Sequence, residues 1–234
     1  MLILLLSAAA PALLIMYLVY RHDLEKEPIR MLVIAFAGGV LSVFVSLLFS
    51  TPLSLLTSMM PSAFIRSFYD AFFLAAIPEE LAKWLIFYWL IRKAKDFDQY
   101  YDGILYAIFI SMGFALVENI LYVLQGGLST AILRAVLSVP GHMLFAIPMG
   151  YYLSLSKFQQ GALATKHQWL SILIPVALHG TFDFILMYAD AKKDTNAALV
   201  ILLFLAFVAF DIYMWRLGLR KLKAMRERDK ASGV

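Results

Sequence analysis

The stretch Ile77-Pro78-Glu79-Glu80-Leu81-Ala82-Lys83-Trp84 decides the fold, because it places three ionisable side chains inside an apolar segment that extends from residue 72 to residue 89. A charged side chain at the centre of a membrane-spanning helix costs roughly 2.5–3.5 kcal/mol on insertion scales. Three of them would cost on the order of 8–10 kcal/mol together, so they must face protein or water rather than lipid. We therefore expect Glu79, Glu80 and Lys83 to mark a functional site within a bundle of membrane-spanning helices.

Helical spacing gives the two glutamates different relations to the lysine. Glu79 and Lys83 are four residues apart and share a helical face, whereas Glu80 meets Lys83 only at the i,i+3 spacing. One carboxylate can thus be held by the lysine while the other stays free for chemistry. The alternative is a structural ion pair that locks helix packing, although one carboxylate would suffice for that role.

The composition indicates a polytopic membrane protein. Of the 234 residues, 62% are hydrophobic, and the mean hydropathy is +0.80, whereas soluble domains are about 45–50% apolar. The chain has no cysteine, which excludes disulfides, a thiol nucleophile and cysteine-ligated metal. Its net charge of +4 comes from a basic C-terminal tail, which favours contact with anionic lipid of the bilayer rather than with nucleic acid.

Seven apolar runs predict an all-α bundle of about seven transmembrane helices. Their approximate limits are residues 2–20, 31–50, 64–91, 102–124, 131–155, 169–188 and 197–218. The first run has no positive residues before it, and we expect it to remain as an uncleaved span. Residues 1–218 then form one transmembrane domain, and residues 219–234 form the basic tail.

The distribution of lysine and arginine predicts the orientation of the bundle. Fifteen of them fall in the tail, at Arg216 near the inner end of the last span, and in the loops after spans one, three and five, and four fall in the loops and rims on the opposite side. The positive-inside rule therefore places the N-terminus outside and the C-terminus in the cytoplasm.

Three later spans also carry polar residues. Span four contains Glu118 and Asn119, span five contains His142, and span six contains His179 and Asp183, which are four residues apart. At about 1.5 Å per residue, these groups and the glutamate pair fall between the bilayer midplane and its outer third. A lone buried histidine is usually a packing residue, but two histidines on separate spans at one depth favour a shared site. We expect four helices to meet around one polar pocket.

An ordered set of short motifs extends along nearly the whole chain. They are Glu27-Pro28, Glu79-Glu80-Leu81-Ala82-Lys83-Trp84, Tyr101-Asp102-Gly103-Ile104 with Tyr106, Gly113-Phe114-Ala115 before Glu118-Asn119, His142 with Met149-Gly150-Tyr151, and Leu178-His179-Gly180 with Asp183-Phe184. This set resembles the PrsW family of bacterial intramembrane proteases. The resemblance implies a multi-pass protein of the bacterial cell membrane that cleaves a membrane-anchored anti-sigma factor on its extracytoplasmic side.

The PrsW family is distantly similar to the CAAX prenyl endopeptidases, which share a glutamate pair and two later histidine motifs. In those enzymes a glutamate acts on water. Their last motif commonly carries asparagine where this chain has Asp183. An ionised aspartate cannot donate a hydrogen bond, so this position does not match an oxyanion-stabilising donor.

Activated water is the chemistry that these residues favour, since no serine lies in a nucleophile-elbow motif. In a metal-free version, Glu79 or Glu80 takes the proton of water with help from His142, and His179 helps to stabilise the oxyanion. In a metal-dependent version, His142, His179 and a carboxylate hold a zinc-like ion, and the remaining glutamate is the base. Asp183 is then a ligand or orients one.

Sequence alone leaves both versions open, and we prefer the metal-free one, in which no cofactor is required. Lys83, Glu118, Asn119 and Asp183 are expected to support the catalytic groups. We expect an intramembrane peptidase whose substrate is a single-span membrane protein.

Two other classes of protein fit the same residues. A proton- or ion-coupled transporter or channel also uses glutamate and histidine at mid-depth, although the chain has no inverted repeat of the common transporter type. A non-catalytic scaffold that binds other membrane helices is the third class.

Overall fold

The computed structural model describes residues 1–233, and most of these residues lie in helices between Leu2 and Ala231. The α-helices are α1 (Leu2–His22), α2 (Ile29–Ser54), α3 (Ala63–Tyr69), α4 (Ile77–Ile86), α5 (Tyr100–Val136), α6 (Ser138–Phe158), α7 (Gly161–Lys192) and α8 (Ala197–Ala231). No strand occurs within the described range. The predicted all-α class is confirmed.

Five stretches among the described residues are long and apolar enough to cross a membrane. They are Ile3–His22, Ile29–Met59, Tyr100–Phe158, Gly161–Lys192 and Ala197–Ala231. The third contains both α5 and α6, and its 59 residues exceed the roughly 20 that one crossing requires. The segment with the glutamate pair is not among the five, so the count of seven spans and the orientation of the termini stay predictions.

The segment that carries the glutamate pair, residues 63–91, changes helix type along its length. α3 passes into a π-helix at Asp70–Ala76, α4 follows, and a second π-helix at Phe87–Ile91 ends the segment. Pro78 lies in the first turn of α4, directly after the π-helix, and has no backbone N–H to donate to the preceding turn. Because a π-turn holds an extra residue, it shifts the faces of the residues that follow it. The first π-helix therefore helps to set the directions in which Glu79 and Glu80 point.

α5 lies at the centre of the bundle and packs against α1, α2 and α6. Two close approaches between backbones hold these helices together. A side chain at Gly150 of α6 would overlap the Gly103 carbonyl of α5, and one at Gly113 would overlap the Phe36 carbonyl of α2. Because these positions are glycine, α2 and α6 pack directly on the backbone of α5, which draws together the helices that carry the polar residues.

Two predicted helix boundaries are wrong. Residues 125–130 were expected to form a loop, but α5 runs on to Val136 with a break only at Gly127, where φ is 71° and ψ is −158°. Glycine adopts this left-handed φ without a steric penalty, so the bend fits into a single residue. The predicted fifth span, residues 131–155, is therefore divided between the end of α5 and α6, which begins at Ser138.

The second wrong boundary is the start of α7, which begins at Gly161 rather than at residue 169. Its first turns belong to a stretch that is polar enough to resemble a loop. At the other end of the chain, α8 continues through most of the predicted basic tail to Ala231.

Candidate active site

A cavity of about 120 Å³ lies where four helices meet. Glu79 of α4, Glu118 of α5, His142 of α6, and His179 and Asp183 of α7 all line it. At about 30 Å³ per water molecule, the cavity has room for about four. The structure thus brings together the polar groups that the sequence analysis expected to converge.

Lys83 is buried between the two glutamates. Its Nζ lies 2.7 Å from Oε1 of Glu80 and 3.4 Å from Oε2 of Glu79, and 4.2 Å from the centroid of the Phe114 ring. The expected contact at the i,i+4 spacing is present, but the contact at the i,i+3 spacing is the shorter one. One cation therefore serves both carboxylates.

The two glutamates differ in their access to the cavity. The Glu80 side chain is fully buried, and its Oε1 also lies 2.9 Å from Nδ1 of His179. Its Oε2 is buried with no hydrogen-bond partner in the described part of the chain. The Glu79 side chain is 13% exposed and lines the cavity. Glu80 is thus anchored by two cationic or donor groups, while Glu79 faces the space that water can occupy.

Both ring nitrogens of His142 have partners that fix its tautomer. Nδ1 lies 3.3 Å from Nζ of Lys83, and Nε2 lies 2.8 Å from Oε2 of Glu118. A charged lysine can only donate, so Nδ1 accepts and the proton resides on Nε2, which donates to the carboxylate. His142 is therefore held with its Nε2–H directed at Glu118.

Both ring nitrogens of His179 lie against carboxylates. Nδ1 is 2.9 Å from Glu80, and Nε2 is 3.2 Å from Oδ2 of Asp183. Only the doubly protonated ring donates to both. The ring also stacks on Phe145, with centroids 4.6 Å apart and planes 12° apart. His179 and Asp183 share a helical face, as their spacing predicted.

Arg134 is a residue of the site to which the sequence analysis gave no role. Its Nη2 donates to Glu118 over 2.9 Å, and its Nε donates to the Asn119 side chain over 2.9 Å. The Asn119 amide in turn donates to the Ala8 carbonyl, so Asn119 ties Arg134 to α1 and does not line the cavity. Arg134 reaches Glu118 because the chain bends at Gly127. The Gly-Gly pair at 126–127 was the signal for that bend.

Two groups of side chains in and beside the cavity have the arrangement of metal ligands. Glu79, Glu80 and His179 offer ligand atoms within 4.8 Å of one another, and so do Glu79, Glu118 and His142. Glu79 belongs to both groups, and the histidines fall in different ones. Imidazole and carboxylate donors, together with the unpartnered Oε2 of Glu80, fit a zinc-like ion.

Comparisons with known proteins show the family of this chain. The model of a family described as PrsW family intramembrane metalloprotease matches residues 27–210. Protease PrsW of Oceanobacillus iheyensis is 36% identical to the chain, over 97% of this chain and 98% of the relative. Protease PrsW of Bacillus subtilis is 33% identical over 94% of each chain. The same-named protein of Clostridioides difficile is 34% identical, over 96% of this chain and 92% of the relative. No solved structure matches significantly.

Proposed function

The chain belongs to the PrsW family of intramembrane metalloproteases, and from that membership we propose that the cavity at Glu79 is where it hydrolyses a peptide bond. The family match confirms the expected resemblance and the peptidase activity, and it favours them over a transporter, a channel or a scaffold. It also agrees with a multi-pass protein of a bacterial membrane, given five stretches that can cross one.

Access to the cavity distinguishes the two glutamates as candidates for the base. Glu79 lines the cavity together with both histidines, whereas Glu80 is fully buried and engaged by Lys83 and His179. A base must reach the water whose proton it takes. We therefore assign the role of base to Glu79, and assign to Glu80 the role of holding Lys83 and His179 in place.

The remaining side chains then act around that base. A water in the cavity gives its proton to Glu79 as its oxygen attacks the substrate carbonyl, and the protonated Glu79 returns the proton to the leaving amine. His179, which donates toward Asp183 in the free protein, is placed to donate to the developing oxyanion instead. Glu118, itself held by Arg134, orients His142.

A metal ion is compatible with this arrangement, and the family description supports the metal-dependent version over the metal-free one that we preferred from the sequence. Glu79 would offer one carboxylate oxygen as a ligand in either candidate group, joined by Glu118 and His142 or by Glu80 and His179, and its other oxygen would remain to take the proton of water. A bound divalent ion would supply a Lewis acid that polarises the carbonyl and makes water more acidic.

A larger groove beside the cavity suits the approach of a substrate. It has a volume of about 810 Å³ and lies between the start of α3 and the end of α7, and Met187 lines both it and the cavity. Arg66, Asp70 and Asp190 give it polar walls. With the expected orientation, this groove faces the extracytoplasmic side. We propose that it admits the juxtamembrane segment of a single-span protein, with an anti-sigma factor as the substrate class that the resemblance implies.

Cleavage by the purified protein in lipid nanodiscs tests this function. With a tagged single-span membrane protein as substrate, His142→Ala and His179→Ala should each abolish cleavage while the variants stay folded. His167→Ala, which changes a histidine that does not line the cavity, serves as the control. Near-normal turnover by both site variants would contradict the proposal, as would ion flux without cleavage.

Elemental analysis of the same samples identifies the ligand group. Metal lost in His142→Ala but kept in His179→Ala indicates the group with Glu118, and the reverse indicates the group with Glu80.

A further inference from the structure

A second groove, separate from the cavity, lies between α1 and α8. It has a volume of about 530 Å³ and apolar walls, formed by Leu18 and Val19 of α1 and by Trp215, Leu219 and Leu222 of α8. Leu219 is 59% exposed and Leu18 is 41% exposed, so the groove opens on the outside of the bundle. In a membrane protein this surface meets lipid.

One end of this groove is positively charged. Lys223, Arg226 and Lys230 lie three and four residues apart on one face of α8 and line the groove there. Glu227 is the acidic residue among the lining groups, and it is 3.7 Å from Lys223. The groove therefore has an apolar length and a cationic end.

Arg226 provides an independent indication that something binds at this end. Its Nε is buried and has no hydrogen-bond partner within residues 1–233. A guanidinium has five N–H donors, and leaving a buried donor unsatisfied is unfavourable. An anionic oxygen at the mouth of the groove would satisfy it once the guanidinium turns toward the groove.

The groove lies where the last predicted span meets the basic tail. Trp215 falls inside that span, whose predicted end is residue 218, and Arg226 lies eight residues beyond residue 218 on the same helix, about 12 Å at 1.5 Å per residue. The polar headgroup region of a bilayer begins where the hydrocarbon core ends. An acyl chain that enters beside Trp215 would therefore bring its headgroup toward Arg226.

We propose that this groove is a binding site for one anionic phospholipid. An acyl chain lies along the seam between α1 and α8, and the phosphate contacts Arg226 and the two neighbouring lysines. The lipid fills a gap beside α8, which packs on α5, α6 and α7 and has only 11% of its apolar window buried. A zwitterionic lipid fits the apolar wall equally well but offers no net charge to the cationic end.

Native mass spectrometry of the purified protein tests the site. The detergent-solubilised chain is titrated with phosphatidylglycerol and, separately, with phosphatidylcholine of the same acyl chains. Wild type should bind phosphatidylglycerol more tightly. Arg226→Gln should weaken that binding about fivefold and weaken phosphatidylcholine binding by less, because choline partly cancels the charge of its phosphate, whereas Leu219→Trp, which fills the groove, should weaken both.

Arg220→Gln is the matched control, because Arg220 is on the same helix but lines a different surface. Its binding of both lipids should stay within about twofold of wild type, since a charge off the groove contributes little to a bound lipid. Equal affinity of wild type for the two lipids would overturn the proposal. Equal losses in Arg220→Gln and Arg226→Gln would also do so, because they indicate a general basic surface. A dimer that Leu219→Trp abolishes, with no phospholipid bound, would assign the groove to a second copy of the chain.

Discussion

Replacing Lys83 by methionine should destabilise the bundle by about 3–5 kcal/mol, because removing one partner of a buried ion pair leaves the other charge uncompensated. Lys83 is 1% exposed and lies against two carboxylates. Methionine has a similar length and can pack against Phe114, so the change removes a charge more than it removes volume.

The magnitude follows from the two contacts that are lost. The contact with Glu80 is 2.7 Å long between two buried side chains, and hydrogen bonds to charged groups contribute about 1.5–3 kcal/mol. The contact with Glu79 is 3.4 Å long and partly exposed, and we expect about 1 kcal/mol from it, as for an exposed pair. Together these two lost contacts account for the lower part of the range of about 3–5 kcal/mol.

A double-mutant cycle separates the charge from the packing. The free energy of unfolding is measured in one detergent for wild type, Lys83→Met, Glu80→Gln and the double variant. Once Glu80 is neutral, losing the lysine should cost less stability. The loss of unfolding free energy in the double variant should therefore be about 2 kcal/mol smaller than the sum of the losses in the two single variants. A loss below about 1 kcal/mol in Lys83→Met, or strict additivity, would refute the reasoning.

Two further predictions concern residues on opposite sides of the bundle. Arg134→Gln should lower the cleavage rate about 10- to 100-fold, because it releases the carboxylate that orients His142; an unchanged turnover number would count against that role. Burial raises the pKa of Glu27 to about 7 and that of Asp23 to about 6, so the folded state holds protons that the unfolded chain has already lost. Stability should therefore fall as pH rises from about 4.5 to 7. Across that range the thermal unfolding temperature should fall less in Glu27→Gln than in wild type. An identical fall would contradict the assignment of this pH dependence to Glu27.

The fold class and the members of the site follow from local physics, and so the sequence could predict them. Charged groups are too costly to face lipid, so the glutamates, His142 and His179 had to point inward. Residues three and four apart share a helical face, which placed Asp183 beside His179. Depth along each helix then suggested that these groups meet.

Other features depend on the path of the backbone, which local spacing does not encode. The left-handed bend at Gly127 returns the chain so that Arg134 contacts Glu118, sixteen residues earlier. The π-helices on either side of α4 alter the faces that follow them, and Glu80 is the closer partner of Lys83. The separation of the histidines into two ligand groups is likewise set by how α6 and α7 pack on α4 and α5.

The central claim is that adjacent glutamates have different roles, with Glu79 acting on water and Glu80 anchoring the site. The most direct test measures, for purified Glu79→Gln and Glu80→Gln in the same nanodiscs, both the single-turnover cleavage rate and the free energy of unfolding. Glu79→Gln should lose about 10²- to 10⁴-fold in rate and stay within about 1 kcal/mol of wild-type stability. Glu80→Gln should lose about 2–3 kcal/mol of stability, because its charged hydrogen bonds are buried. Near-normal cleavage by Glu79→Gln, with cleavage lost at unchanged stability in Glu80→Gln, would contradict the account.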